Sequence, residues 1–204
     1  MTRPFERPAP HHVIRGFLGG GLAGRLLDHA IASEAQFTAG LVRNAAGRRL
    51  DERVRRSRRL GDLGPLGAEL AARLSAALPA AAAALGMPPF AAGAPELDMA
   101  SHGDGDFFAP HVDTLVSAAG GVGVRILTGV YYLHREPRPF EGGELRLHSF
   151  LPAGRGGSHV DIAPEHDMLL FFPSWALHEV RPVRCPGGTF HQSRFSVNCW
   201  FHPA

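Results

Sequence analysis

The sequence predicts an α+β protein that is mainly β, a sandwich or barrel of short strands with helices packed against one outer face. Three observations carry this expectation. Apolar residues recur at helical spacing in the first part of the chain. From about Glu96 the pattern changes to short apolar runs separated by glycine and proline. A chain of 204 residues that is 45% hydrophobic can bury a full core in one domain. The expected organisation is one domain over 1–204, with helical support over about 1–90 and a β core over about 91–204.

The elements follow in order. Leu18, Leu22, Leu26, Leu27 and Ala30 mark the first helix. An arginine cluster from Arg48 to Arg59 comes next. It reads first as a solvated surface segment and second as the border of a pocket for an anionic or peptide substrate. Leu66, Leu70, Leu74 and Leu78 form an i, i+4 stripe, and Pro79 is expected to end that helix or start the next turn. Strands are expected at VRILTGVYYL (Val124 to Leu133), ELRLH, HVDIAP, MLLFFPS, LHEVRPV and RFSVNCWF. Many short strands with turns between them argue for a sandwich or barrel. The loops Gly103 to Asp106, Ser117 to Gly123 and Pro152 to Gly157 are too short to be linkers, and no internal repeat is present.

Composition excludes several classes. The net charge of +2 gives no strong attraction to nucleic acid or membrane. All 21 basic residues are arginine. The two cysteines, Cys185 and Cys199, are too few for a disulfide framework and suit a reducing, cytoplasmic setting. The N-terminal segment lacks the apolar stretch of a signal peptide. No apolar run reaches the roughly 18 residues needed to span a bilayer. No residue pattern speaks to oligomeric state.

The chemistry lies in histidine and aspartate. Two imidazoles and one carboxylate are the ligand set of a non-haem Fe(II) site with open positions. Three H-x-D triplets are available, and about half a triplet is expected by chance in such a composition, so position must decide. His102-Gly-Asp104 sits in HGDGD, a turn composition, and reads as a polar loop. His159-Val-Asp161 starts a strand one strand away from His178 and is expected on an outer face. His111-Val-Asp113 ends FFAPHVD, and on a strand both side chains share a face. His178 lies 67 residues further on, a separation that suits a metal site built from opposite walls of a barrel. His111, Asp113 and His178 are therefore the expected metal ligands.

The last strand supports that choice. Arg194, Ser196, Asn198 and Trp200 alternate with Phe195, Val197, Cys199 and Phe201. The polar face can point into a wet pocket while helices cover the apolar one. The alternative is an ordinary solvent-facing strand.

These pieces resemble a known family. From about Met99 to the end the chain is similar to the Fe(II)/2-oxoglutarate-dependent dioxygenases of the prolyl 4-hydroxylase type. The likeness is carried by GDGDFFAPHVD, RILTGVYYLH, FEGGELRLH, DIAPEHDMLLFFPSWALHEVRPV and RFSVNCWF. VRRSRRL is similar, less specifically, to the family's N-terminal support region. The resemblance implies a double-stranded β-helix (jelly roll) core, with Fe(II), 2-oxoglutarate and dioxygen as reactants and ascorbate as an accessory reductant. It makes His111, Asp113 and His178 the iron ligands. It pairs Arg194 with the far carboxylate of 2-oxoglutarate, assisted by Tyr132 and Ser196, and it places Arg125 and Trp200 on the substrate side. Two departures stand out. His102 occupies a position where many members carry tyrosine, and CPGGTFHQS lengthens the gap before the arginine, leaving Arg181 and Arg184 as competitors for its role.

The leading functional expectation is a hydroxylase of a peptidyl, prolyl-type residue that releases succinate and carbon dioxide. The alternatives are a hydroxylase of a free amino acid or small metabolite, and a non-catalytic jelly-roll metal binder. Nucleic-acid demethylation is disfavoured by the near-neutral charge and by a basic run without interleaved aromatics.

Overall fold

The computed structural model describes residues 4–44, 47–114 and 124–204. In chain order the elements of the first part are β1 (His12–Arg15), α1 (Gly20–Ala32), β2 (Thr38–Ala39), β3 (Val42–Asn44), β4 (Gly47–Arg49), β5 (Arg55–Arg56), β6 (Arg58–Leu60) and α2 (Pro65–Ala84). Then come β7 (Glu96–His102), β8 (Phe107–His111), β9 (Leu127–Leu133), β10 (Glu141–Gly142), β11 (Leu145–His148) and β12 (His159–Ile162). The chain ends with β13 (Met168–Pro173), β14 (His178–Val180), β15 (Val183–Arg184) and β16 (Arg194–Phe201). The expected loop from Ser117 to Gly123 lies outside the described residues.

Two antiparallel sheets form the jelly roll that the sequence leads one to expect. The larger has strand order β1-β13-β9-β16-β7-β6-β2, and the smaller β12-β11-β14-β8-β5. Alternation assigns each face. Leu127, Tyr131 and Leu133 of β9, Leu169 and Phe171 of β13, and Phe195, Val197, Cys199 and Phe201 of β16 join one core with Leu22, Leu26, Leu70 and Leu74 of the helices. Val130 and Tyr132 of β9 and Met168, Leu170 and Phe172 of β13 point the other way, onto Leu145 and Leu147 of the smaller sheet. Central strands covered on both faces explain the near-continuous apolar runs. Phe171 is fully buried, and Phe171→Ala is expected to destabilise the protein by ~3–5 kcal/mol. A lower urea midpoint at unchanged m value would show this.

The first part of the chain departs from the expected all-helical support. It donates β1, β2 and β6 to the larger sheet and β5 to the smaller one. These strands are only two to four residues long, too short to carry a hydrophobic period, and β5 and β6 fall in the arginine run. Backbone pairing seats β1, β2 and β5 at sheet edges and β6 between β7 and β2, while Ile14 of β1 and Leu60 of β6 pack on the core. Helix α2 also runs through Pro79 instead of ending there. The missing N–H would have met the carbonyl of Ser75, and both residues are exposed, so water can serve that carbonyl. Burial of Ala81, Ala82 and Leu85 beyond the proline offsets the loss. Helix α1 starts on Asp167, whose carboxylate accepts from Leu18 N and Gly19 N at 2.9 Å each and from Tyr131 Oη at 2.7 Å. The β9 strand begins at Leu127, later than expected, which leaves Arg125 in the preceding coil. Among the described residues no helix is long and apolar enough to cross a membrane. Cys185 and Cys199 are buried, free thiols.

Candidate active site

His111 and His178 are direct partners on the adjacent strands β8 and β14 of the smaller sheet. They occupy one wall, not opposite walls as the sequence separation suggested. Cross-strand neighbours lie only about 4.5–5.5 Å apart, so pairing brings the two rings together without a crossing of the barrel. The ring centroids are 4.1 Å apart. Asp113 follows β8, and its N–H donates to Ser174 O at 2.9 Å, which turns the carboxylate back toward both rings. Asp113 Oδ1 lies 3.8 Å from His111 Nε2, and Oδ2 lies 3.6 Å from His178 Nε2. The three ligand atoms lie within 4.8 Å of one another, and among the described residues this is the one cluster of its kind able to hold a metal ion.

The surroundings orient each ligand. His111 Nδ1 is 2.8 Å from Ala109 O, and His178 Nδ1 is 2.9 Å from Ala176 O. A carbonyl can only accept, so each Nδ1 carries the proton and each Nε2 offers a lone pair toward Asp113. Burial and the neighbouring His178 push His111 down to about 3, which keeps that imidazole neutral and ready to ligate. Burial favours protonation of Asp113, but the polar groups gathered around it, the two imidazoles, the Trp200 N–H and Arg125, outweigh burial and hold the carboxyl below its ordinary range. Thr128 Oγ1 donates to Asp113 Oδ2 at 3.0 Å and is 2.9 Å from Ser174 Oγ.

The cavity in front of the ligands is lined by residues of both sheets, among them Arg194. Arg194 is 1% exposed, and its Nε donates to Gly143 O at 2.8 Å. Gly143 has φ +69°, and a Cβ there would lie 2.7 Å from Arg194 Cδ, so the seat of this guanidinium requires glycine. Arg194 Nη1 is 3.4 Å from both His102 Nδ1 and Ser196 Oγ, and Cζ stands 4.9 Å over the Tyr132 ring. Four buried polar atoms at or beside this cavity make no well-aligned hydrogen bond: Arg194 Nη2, Tyr132 Oη, His102 Nε2 and Trp200 Nε1, although the Tyr132 phenol lies against Arg194 and the Trp200 indole against Asp113. Buried polar groups are normally satisfied, so a polar guest is missing from their hydrogen-bond account. The chemistry of this lining suits an anionic, oxygen-rich guest, which three candidate metal ligands and a buried guanidinium could hold.

Residues 97–202 match the family model described as the 2OG-Fe(II) oxygenase superfamily. The chain belongs to that superfamily. A PKHD-type hydroxylase of Synechocystis sp., itself uncharacterized, is 30% identical over 197 residues, a match that takes in 95% of this chain and 63% of that protein. This chain thus spans less than two thirds of the length of that curated relative. A prolyl-4-hydroxylase of Pseudomonas putida superposes with a TM-score of 0.69 at 19% identity, over 96% of this chain and 94% of that one. A prolyl hydroxylase of Trichoplax adhaerens, in complex with a hypoxia inducible factor oxygen degradation domain peptide fragment, gives 0.66 at 21% identity, over 96% and 84%. Likeness at these identities shows the shared fold. Fe(II) and 2-oxoglutarate are the reactants typical of the superfamily, and the triad of His111, Asp113 and His178 is its metal-binding pattern.

Within this oxygenase fold the other expected residues fall as follows. Arg194, Ser196, Asn198 and Trp200 face the cavity, so the polar row of β16 points inward. Arg125 stands behind that wall, its Cζ 3.7 Å over the Trp200 ring and its Nη2 2.7 Å from Glu96 Oε1. Arg181 pairs with Glu179 and Arg184 is exposed, so neither competes with Arg194. Asp161 of the third triplet is tied to Arg146 at 2.7 Å, and His159 is exposed, which places that triplet on an outer face as expected.

His102 is the clear correction. It ends strand β7 opposite Arg194, is 3% exposed and lines the cavity. Only the turn after it, around Gly105, has the loop character that HGDGD suggested. The available signal was the alternation in ELDMASH, where Leu97 and Met99 pack toward the helices and His102 belongs to the opposite row. Burial, then the charges of Arg194 and Arg55, depress its pKa well below the usual range. Because Arg194 Nη1 can only donate, Nδ1 accepts and Nε2 carries a proton toward the cavity. The arginine cluster splits. Arg49 and Arg53 bond Asp51, Arg56 and Arg58 lie 3.8 Å from Asp106 and Glu34, and Arg59 pairs with Asp98. Arg55 instead is buried in the cavity wall.

Proposed function

We propose that this protein is an Fe(II)- and 2-oxoglutarate-dependent dioxygenase that hydroxylates an aliphatic C–H bond, on a peptidyl residue of prolyl type, with release of succinate and carbon dioxide. The observation that carries the reading is the pairing, in one cavity, of three convergent ligand atoms with a buried, partly unbonded guanidinium that stands over the Tyr132 ring. The metal, once bound, supplies the redox chemistry that couples dioxygen to decarboxylation of the keto acid and oxidation of the substrate.

The protein's part is orientation. His111, Asp113 and His178 hold the metal on one face and leave positions for the keto acid and dioxygen. Arg194 forks onto the far carboxylate of 2-oxoglutarate. Burial pushes the Tyr132 phenol up to about 12, so it stays protonated and donates to the same carboxylate. Ser196 adds a hydroxyl beside Arg194 Nη1. Trp200, stiffened by Arg125, borders the substrate side. Asp113 occupies the position that related halogenases leave to chloride, which favours hydroxylation. A non-catalytic metal binder has no use for the guanidinium and phenol at the far end. Ascorbate serves as accessory reductant. The peptidyl reading is supported by the prolyl hydroxylase relatives. The small-metabolite reading is favoured by one specific observation, the buried Arg55.

The test is anaerobic binding of Fe(II) and then 2-oxoglutarate, followed by succinate release with a panel of prolyl peptides and amino acids. Binding of both, and stimulation by prolyl peptides, is the expected result; failure to bind 2-oxoglutarate would sink the proposal. Thr128→Val keeps the volume but removes the hydrogen bond to Asp113. It is expected to weaken metal affinity about 10–100-fold, read by chelator competition.

A further inference from the structure

We infer that Arg55 anchors a carboxylate of the substrate, so that the compound oxidised here is a small organic acid or the acidic terminus of a peptide, not a neutral stretch of chain. The inference rests on the proposed function and adds the substrate's chemical class. Arg55 is 8% exposed and lines the same cavity as His111 and Asp113. Its Nε donates to Ser57 Oγ at 2.7 Å. Among the described residues no carboxylate lies within ion-pair distance of it, although its neighbours Arg53, Arg56, Arg58 and Arg59 each have one. A buried charge is retained only where a partner compensates it.

The surroundings of Arg55 form a built seat. Its Cζ stands 4.7 Å over the Phe108 ring, and the other side of Phe108 serves the metal site, stacking on His111 at 3.6 Å. On the remaining flank is Gly40, where a Cβ would lie 2.5 Å from Ser57 Oγ and 2.7 Å from Arg55 Nε. The absent side chain lets the backbone close against the guanidinium, and Gly40 N bonds Ser57 O at 2.8 Å. Hydroxyl, ring and glycine backbone thus hold the guanidinium in place, and its free edge meets the cavity. Burial, then Arg59, lowers its pKa to about 10 against the opposing charges of Asp98 and Asp113, neither of which pairs with it directly, so the group is still cationic at neutral pH.

Charge balance points the same way. A ferrous ion and the two carboxylates of 2-oxoglutarate cancel, Asp113 cancels Arg194, and the ligating imidazoles are neutral. Asp113 acts on Arg55 as well, but the charged lining residues Arg55, Arg194 and Asp113 still sum to one net positive charge. A substrate carboxylate neutralises it through a bidentate fork, one ring layer from a metal ligand. That geometry fixes the carboxylate close to the reacting carbon, as in an amino acid or a C-terminal residue.

The experiment uses the full chain loaded with Zn(II), which cannot turn over, and saturated with 2-oxoglutarate. Acetate and its neutral isostere acetamide are titrated by calorimetry into wild type, Arg55→Met and Arg55→Lys. The expected result is a preference for acetate of about tenfold or more in wild type, lost in Arg55→Met and partly kept in Arg55→Lys, with 2-oxoglutarate affinity unchanged. The unchanged cosubstrate affinity also shows that the variants are folded. No preference in wild type, or a preference that survives Arg55→Met, overturns the inference. So does a tenfold loss of 2-oxoglutarate affinity in Arg55→Met, which would assign Arg55 to the cosubstrate. If wild type itself takes up no 2-oxoglutarate, the proposed function falls and this inference with it. Succinate release by the Fe(II) enzyme then separates the sources. Stimulation by free amino acids assigns a small acid, and stimulation by tetrapeptides with free C-termini assigns a peptide end. Stimulation only by C-terminally amidated peptides overturns the proposal.

Discussion

Asp113→Ala is expected to lower coupled succinate formation by about a thousandfold or more, and His111→Ala to do the same. Each removes one of three protein ligands, and no neighbouring His, Cys, Asp or Glu among the described residues stands ready to replace it. The loss should therefore appear first as metal affinity, measured by equilibrium dialysis against Fe(II) under argon. The fold should survive. Without the Asp113 carboxylate, Thr128 Oγ1 keeps its bond to Ser174 Oγ at 2.9 Å, and the two histidines keep their backbone partners. Circular dichroism of the two variants should match wild type. Full coupled turnover in either variant would remove the triad from the mechanism.

The second large effect is at the other end of the cavity. Arg194→Met is expected to raise the Kd for 2-oxoglutarate by about 30–150-fold, the loss of roughly 2–3 kcal/mol in charge-assisted hydrogen bonds. Metal affinity should stay within a few-fold of wild type, because Arg194 touches Gly143, His102, Ser196 and Tyr132 and none of the ligands. Arg194→Lys should recover only part of the binding, since a single ammonium cannot make the planar fork. Both values come from anaerobic titration of the metal-loaded protein. Equal affinities in wild type and Arg194→Met would show that the far carboxylate binds elsewhere.

The contrast between Arg194 and Arg55 shows how far residue type can be read along a chain. Arg194 was legible because it heads an eight-residue strand with strict alternation, and a period of two assigns every second side chain to one face. Arg55 sits on a two-residue strand inside a run of arginines, where no period exists. Its burial depends on Gly40 and Phe108, which are distant in sequence. His102 lay between these cases. Its strand alternates, but the glycine–aspartate turn that follows masked the signal, and only pairing with β16 shows that it faces Arg194.

By itself the sequence indicated the strand-rich class, the faces of the long strands, the three candidate ligands and the last strand as a cavity wall, although the opposite-walls argument for the ligands did not hold. These follow from local periodicity and from chemistry carried by the residues themselves. The tertiary structure decided the rest. It placed His111 beside His178 on neighbouring strands, recruited short segments of the first part of the chain into both sheets, and carried α2 past Pro79. It also buried Arg55 and His102 in the cavity. Each of these depends on which strands pair and which surfaces meet, and the free energy of pairing is spread over residues far apart in the chain.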